Sequence, residues 1–185
     1  MPLTDFVNAT QTSFPLSAFS KTNRYIIGPT VELRLPAGFG VEFDALFRHF
    51  NYQTTTRGVD TFSSTTATSN AWEFPLLLKY RFPAKFVRPY VDGGVAWDRL
   101  QGLSATITQI GVPFGTTTTT TSNPQELKNT TATGVVIGGG LDIHAILIHI
   151  SPEVRYTRWT AQHFNLSNVL NSNQNQAEFL LGITF

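Results

Sequence analysis

Cysteine is missing altogether, and charge is sparse. Asp, Glu, Lys and Arg make up 14% of the 185 residues, against roughly 25% in ordinary soluble domains. Without cysteine there is neither a disulfide framework nor a thiolate metal site. Long apolar runs are missing too. No stretch approaches the roughly 18 apolar residues of a membrane-crossing helix, which excludes a helical membrane protein. The formal net charge is +1 and Lys and Arg form no cluster, so a nucleic-acid partner is excluded: neutralising phosphates takes concentrated positive charge. The opening Met1-Pro2-Leu3-Thr4-Asp5 has neither the basic start nor the apolar stretch of a signal peptide. If the protein is exported, its signal lies upstream of this sequence.

What replaces the missing charge is Thr, Ser, Asn and Gln, since hydrophobic content is an ordinary 41%. The length is that of one domain with a sizeable core. Most of the chain falls into period-2 segments, which read as strands with unlike faces. Residues 25–35 set Tyr25, Ile27, Val31, Leu33 and Leu35 against Gly28, Thr30, Glu32 and Arg34. Residues 39–52 set Phe39, Val41, Phe43 and Phe47 against Gly40, Glu42, Asp44, Leu46 and Arg48. Residues 72–82 set Trp72, Phe74, Leu76, Leu78, Tyr80 and Phe82 against Glu73, Pro75, Leu77, Lys79 and Arg81. The pattern recurs over 88–99 (Val91, Val95 and Trp97 against Asp92 and Asp98), 134–144 (Val135, Ile137 and Leu141 against Gly138, Gly140, Asp142 and His144) and 146–159 (Ile148, Val154 and Tyr156 against His149, Glu153 and Arg155). It closes over 176–185, with Ala177, Phe179, Leu181, Ile183 and Phe185 against Glu178, Gly182 and Thr184. Segments of about 10–14 residues exceed the usual soluble strand of roughly 5–6 and match the roughly 9–11 that a tilted transmembrane strand needs.

Connections alternate between short (36–38, 83–87, and a tight link at Ala145) and long (about 8–24, 53–71, 100–133 and 160–175). Long loops on one rim and tight turns on the other is the arrangement of outer-membrane barrels. Seven up-and-down strands leave the termini on opposite rims, whereas bacterial single-chain barrels have an even number. The expectation is therefore eight strands in the parent fold, with a stub at 2–7 standing for a first strand that Met1 interrupts.

Acids and bases share the polar faces and can pair. The expected interior charge network is Glu32, Arg34, Glu42, Asp44, Arg48, Glu73, Lys79, Arg81, Asp92, Glu153, Arg155 and Glu178. A soluble ligand-binding barrel would turn the apolar faces inward; a membrane barrel turns them to lipid. Three features favour lipid, one being that the chain ends on an alternating apolar strand whose last residue is Phe185. Tyr25, Phe39, Trp72, Phe82, Trp97 and Tyr156 stand at the ends of apolar faces, where interfacial aromatic girdles are expected. The polar faces also hold glycines that suit close packing in a narrow barrel. An Arg or Lys at the lipid midplane would cost about 2–4 kcal/mol, so several misplaced together would consume a domain's net stability of roughly 5–15 kcal/mol.

With this strand and loop alternation, the charged glycine-rich face and the ending Ala177-Glu178-Phe179-Leu180-Leu181-Gly182-Ile183-Thr184-Phe185, the chain resembles the small eight-stranded outer-membrane barrels similar to outer-membrane protein A. The resemblance covers nearly the whole chain and implies an all-β, antiparallel up-and-down barrel in the bacterial outer membrane, in contact with membrane lipid. It also implies that Phe179, Leu181, Ile183 and Phe185 act as the recognition signal for the barrel-assembly machinery.

Chemistry is thin. His144 and His149 flank a turn with Asp142 nearby, but a metal pair needs more ligands and support. Glu42, Asp44, Glu73 and Asp92 could form an acidic catalytic cluster, though pairing with Arg48, Lys79 and Arg81 is the plainer reading. No nucleophile elbow lies near His49 or His163, and Gly138-Gly139-Gly140 precedes no helix. No catalytic residue, cofactor or metal is expected. The long loops carry Phe62, Phe114, Phe164, Leu166 and Leu170 and are read as solvated, with an unidentified surface ligand as the alternative. The function expected is a non-enzymatic barrel with a filled polar lumen and a structural or surface-interaction role. The alternatives are a soluble lipocalin-like barrel, a small pore, and a lipid-modifying barrel enzyme.

Overall fold

A computed structural model describes residues 7–8, 16–20, 25–57, 60–111, 115–122, 129–145, 148–161, 165–166, 170–171 and 174–184. The strands are β1 (Val7–Asn8), β2 (Leu16–Ser20), β3 (Thr30–Arg34), β4 (Phe39–Asp44), β5 (Leu46–Arg57), β6 (Thr61–Arg81), β7 (Val87–Gly111), β8 (Gly115–Thr121), β9 (Thr131–Ala145), β10 (Ile148–Trp159), β11 (Asn165–Leu166), β12 (Leu170–Asn171) and β13 (Asn175–Thr184). All pairings are antiparallel, and the main sheet runs β13-β10-β9-β7-β6-β4-β3. β5 continues β4 against β6, and β2 pairs with β5. β1, β12 and β11 form a small separate sheet. Among the described residues no helix is long and apolar enough to cross a membrane.

β6 shows why the sequence folds this way. From Thr65 to Lys79 every odd residue is buried and every even one is partly or fully exposed, the two-residue period of a pleated strand. The buried side carries Glu73, Leu77 and Lys79, and the exposed side carries Trp72, Phe74, Leu76 and Leu78. Apolar side chains point out over the whole sheet: Val31, Leu33, Leu78, Ile137, Val154 and Leu181 are each more than half exposed. The soluble-barrel alternative required the reverse. The buried side is polar: Asp44, Glu73, Asp98, Glu178 and Arg155 are each 2% exposed or less.

Pro75 sits inside β6, where a missing N–H would normally break a ladder. The neighbouring strand accommodates it, because β4 ends at Asp44 and β5 begins at Leu46. Ala45, in that gap, gives its N–H to the Pro29 carbonyl on the other side at 3.0 Å. The turn between β3 and β4 is a short 3-10 segment, Pro36–Gly38, with Ala37 and Gly38 both at positive φ (61° and 84°). Gly38 cannot gain a side chain, since a Cβ there would stand 2.6 Å from the Arg81 carbonyl oxygen.

The expected bounds of the long loops are corrected. Much of the supposed loops 53–71 and 100–133 is strand, because β5 runs to Arg57, β6 starts at Thr61, β7 reaches Gly111 and β8 occupies Gly115–Thr121. The reason is chemical: β-branched Thr favours extended backbone, yet a run that is polar on both faces shows no alternation to read. The supposed loop 8–24 likewise contains β2. The stub at 2–7 lies outside the described residues except for Val7, which pairs with Asn171.

Candidate functional site

Lumen-facing side chains interlock in three layers. Nearest the short turns, both terminal nitrogens of Arg81 bind the Glu32 carboxylate, while its Nε donates to Asp142 Oδ2 at 3.2 Å. His149 Nδ1 lies 3.1 Å from the other Asp142 oxygen. Arg34 stands at the margin, half exposed and 3.9 Å from Glu32.

The middle layer is the densest. Arg155 spreads its guanidinium over three carboxylates: Nε donates to Glu153 at 2.7 Å, Nη1 to Asp44 at 2.8 Å and Nη2 to Glu42 at 3.2 Å. Lys79 Nζ donates to Glu42 at 2.5 Å and lies 3.6 Å from Glu153. Tyr90 donates its hydroxyl to Glu153 at 2.9 Å, and its ring centroid lies 4.2 Å from the Lys79 ammonium. Buried charges persist only when paired and hydrogen-bonded in this way, and a planar guanidinium is the side chain whose fork suits several carboxylates at once.

The upper layer is built on Gln176. Its Nε2 donates to Glu73 at 3.0 Å and Glu178 at 2.7 Å, while its Oε1 accepts from Arg48 at 3.2 Å and from the Trp159 indole at 2.9 Å. Arg48 also donates to Asp98 at 2.6 Å. Asp92 is the exception in the interior, since neither of its carboxylate oxygens has a hydrogen-bond partner among the described residues. It faces Gly138, where a Cβ would stand 2.5 Å from Asp92 Oδ1.

The structure thus brings eleven of the twelve expected network residues into ion pairs or hydrogen bonds, with Asp92 outside them. Sequence reasoning missed Tyr90, Trp159 and Gln176. Parity puts all three on the polar faces, but none carries a charge that marks it as a partner in a charge network.

Outside, aromatic rings gather at two levels. Phe47, Trp72 and Phe74 form the level nearer the long connections, with Phe47 5.2 Å and Phe74 6.2 Å from Trp72. Phe39, Tyr80 and Phe82 form the other, with centroids 5.0 and 5.1 Å apart along the chain of contacts. Trp72 and Tyr80 are eight residues apart on β6, about 26 Å of strand at ~3.3 Å per residue. At a tilt of about 40° that spans roughly 20 Å along the membrane normal, within the ~25 Å apolar band of outer-membrane barrels. Tyr25, Trp97 and Tyr156 also point outward and stay exposed. Of the terminal signal, Phe179, Leu181 and Ile183 are exposed on the outward face of β13, and Phe185 lies outside the described residues.

A family model for the outer membrane protein beta-barrel domain matches residues 6–158. The chain belongs to that family. No curated protein and no solved structure matches it significantly. For a member of the outer membrane protein beta-barrel domain family the inside-out polarity has its physical cause: lipid, not water, meets the apolar face. Family membership places the protein in the outer membrane.

Above the Trp72 level the barrel strands do not stop. β2, β5, β6, β7 and β8 continue as a five-stranded sheet. One row across it is Thr55, Ser64, Thr108 and Thr118, and the next is Gln53, Thr66, Thr106 and Thr120. The Thr106 and Thr120 hydroxyls lie 3.5 Å apart. Among the described residues no catalytic constellation emerges. His49 Nδ1 is 2.7 Å from the Asn70 side-chain oxygen, His163 lies outside the described residues, and His144 and His149 stack edge to face at 4.2 Å. Among the described residues no group of three or more His, Asp or Glu is placed to hold a metal. Phe62 sits on β6; Phe114 and Phe164 lie outside the described residues.

Proposed function

We propose that this outer-membrane barrel is a non-enzymatic, sealed scaffold that carries a hydroxyl-rich β-sheet beyond the membrane surface, where a surface partner can meet it. The observation that supports the sealed interior is the middle layer, where Arg155, Lys79, Glu42, Asp44 and Glu153 cross-link side chains from β4, β6 and β10 in the barrel centre. An interior of eight strands is just wide enough for side chains to fill. An enzyme reading would need a free nucleophile or base in a cleft; the middle-layer carboxylates Glu42, Asp44 and Glu153 are tied to cations, which leaves Asp92 as the carboxylate that tests it.

The test is conductance in planar bilayers after refolding, alongside gel mobility of boiled and unboiled samples. A heat-modifiable β-rich band with no stepwise conductance supports the sealed scaffold. Large, regular current steps would favour the pore instead. Hydrolysis of bilayer phospholipid by the refolded protein, lost in Asp92→Asn, would replace the scaffold with a lipid-modifying enzyme.

A further inference from the structure

At the short-turn rim a cavity of about 600 Å³ lies between the turn at Pro36–Gly38 and the connection 82–86. Its lining includes Arg34, Arg81 and Arg88, the rings of Phe39, Tyr80 and Phe82, and no carboxylate. The walls are held by paired backbone. Leu35 gives its N–H to the Phe39 carbonyl at 2.9 Å, and Phe82 gives its own to the Pro89 carbonyl at 2.9 Å.

The three guanidiniums are not equally committed. Arg81 is occupied by Glu32 and Asp142. Arg34 is half exposed and lies 3.9 Å from Glu32, whose two oxygens Arg81 already holds. Arg88 is exposed and gives its Nε to the Ala84 carbonyl at 3.0 Å. Asp142 stands opposite Arg88 in the sheet register, but its two oxygens are taken by Arg81 and His149. Arg34 and Arg88 therefore bring positive charge to the cavity that no carboxylate in its lining offsets.

Height says which anion is within reach. Phe39, Tyr80 and Phe82 form the aromatic level nearer the short turns, and such rings sit at headgroup depth. Short turns of outer-membrane barrels face the periplasm. The cavity is thus level with the phosphates of the inner leaflet, while Phe39 and Phe82 stay exposed on the side of the acyl chains. A guanidinium fork matches phosphate oxygens. A choline or ethanolamine headgroup would carry its own cation into a place without a carboxylate.

We propose that this cavity is a binding site for one anionic phospholipid of the inner leaflet, its phosphate diester on Arg34 and Arg88 and its chains against Phe39 and Phe82. The site goes beyond the scaffold reading and is independent of whether the lumen is sealed.

The test uses the refolded full chain in neutral-detergent micelles holding equal amounts of phosphatidylglycerol and phosphatidylcholine, with retained lipid counted by native mass spectrometry. The expected result is one retained lipid, with phosphatidylglycerol favoured by about tenfold, the order expected of two guanidiniums near one anionic headgroup. Arg34→Gln combined with Arg88→Gln should keep the heat-modifiable band and abolish the preference. Each single variant should lose part of it, which reads out the site even where the double variant folds poorly. Lys85→Gln removes a cation from the same connection but outside the cavity, and should leave the preference unchanged. Equal retention of the two lipids by the unaltered chain would overturn the proposal. So would an equal loss in Lys85→Gln, which assigns the preference to the charge of the whole rim. Displacement of phosphatidylglycerol by millimolar inorganic phosphate would make this a site for the free ion and overturn the lipid assignment.

Discussion

Replacing Arg155 with methionine removes the cation shared by Glu153, Asp44 and Glu42 and keeps most of the side-chain volume. Arg155 is 1% exposed and donates three charge-assisted hydrogen bonds of 2.7 to 3.2 Å. Valued singly at about 1.5–3 kcal/mol each, these bonds would total more than the site delivers, because burying the charges costs desolvation in the folded state. The better guide is the cost of leaving buried charge without its partner, about 3–5 kcal/mol. Lys79 still neutralises Glu42 and lies 3.6 Å from Glu153, which holds the loss near the lower bound. Arg155→Met should therefore lose about 3 kcal/mol, roughly a hundredfold in the unfolding equilibrium. Arg155→Lys should lose about half that, since an ammonium cannot reach three carboxylates at once. The assay is urea unfolding in phospholipid vesicles followed by tryptophan fluorescence, with the fraction folded checked on unboiled gels. A loss below about 1 kcal/mol for Arg155→Met would refute the view that the middle layer is dry and mutually dependent. A loss as large for Arg155→Lys as for Arg155→Met would refute the assignment of the effect to charge.

Leu76 lies midway between Trp72 and Tyr80 on the outward face of β6, so Leu76→Arg should cost about 2–4 kcal/mol, measured by equilibrium refolding into vesicles. Thr66→Arg, on the same face but beyond the membrane, should stay within about 0.5 kcal/mol. Brominated lipid should quench Trp72 and Trp97, which face outward, and spare the inward Trp159, read from single-tryptophan variants; quenching of Trp159 would contradict its bond to Gln176. Neighbouring glycines should part company. A Cβ at Gly94 would meet the Leu76 carbonyl oxygen at 2.0 Å, whereas one at Gly93 finds its nearest contact at 3.6 Å. Gly94→Ala should lower folding yield severalfold in the gel-mobility assay while Gly93→Ala folds normally.

The alternation of Trp72, Phe74, Leu76 and Leu78 with Glu73, Leu77 and Lys79 made the membrane-spanning part legible, because a period of two and a sharp contrast between lipid and lumen leave one solution. Partners within the lumen were not legible. That Arg155 reaches Asp44, more than a hundred positions away, depends on barrel curvature and stagger, which no local pattern encodes. Gln176 was passed over for a related reason: an uncharged amide carries no sign to match, yet its four contacts bind the upper layer together. The strand extensions failed for the opposite cause. Residues 61–68 and the threonine run 116–121 are hydroxyl-rich on both sides, and 104–110 set hydroxyls against only Ala105, Ile107 and Gln109, so no sharp apolar contrast marks one face. Pro75 lies inside the strand read over 72–82, and only the interruption at Ala45 next door explains why its missing N–H is tolerated there.

β8 carries one consequence of its own. Residues 116–121 are six consecutive threonines paired with residues 105–110 of β7. Sliding a homopolymer past its neighbour by one step exchanges each side chain for an identical one, so side-chain identity does not fix the alignment of this hairpin. The start at Gly115, with its positive φ of 86°, is left to do so. Gain or loss of a single threonine changes how far the ribbon reaches and leaves every buried contact below it untouched. The outermost sheet can thus vary in length across generations while the membrane-embedded part stays constant.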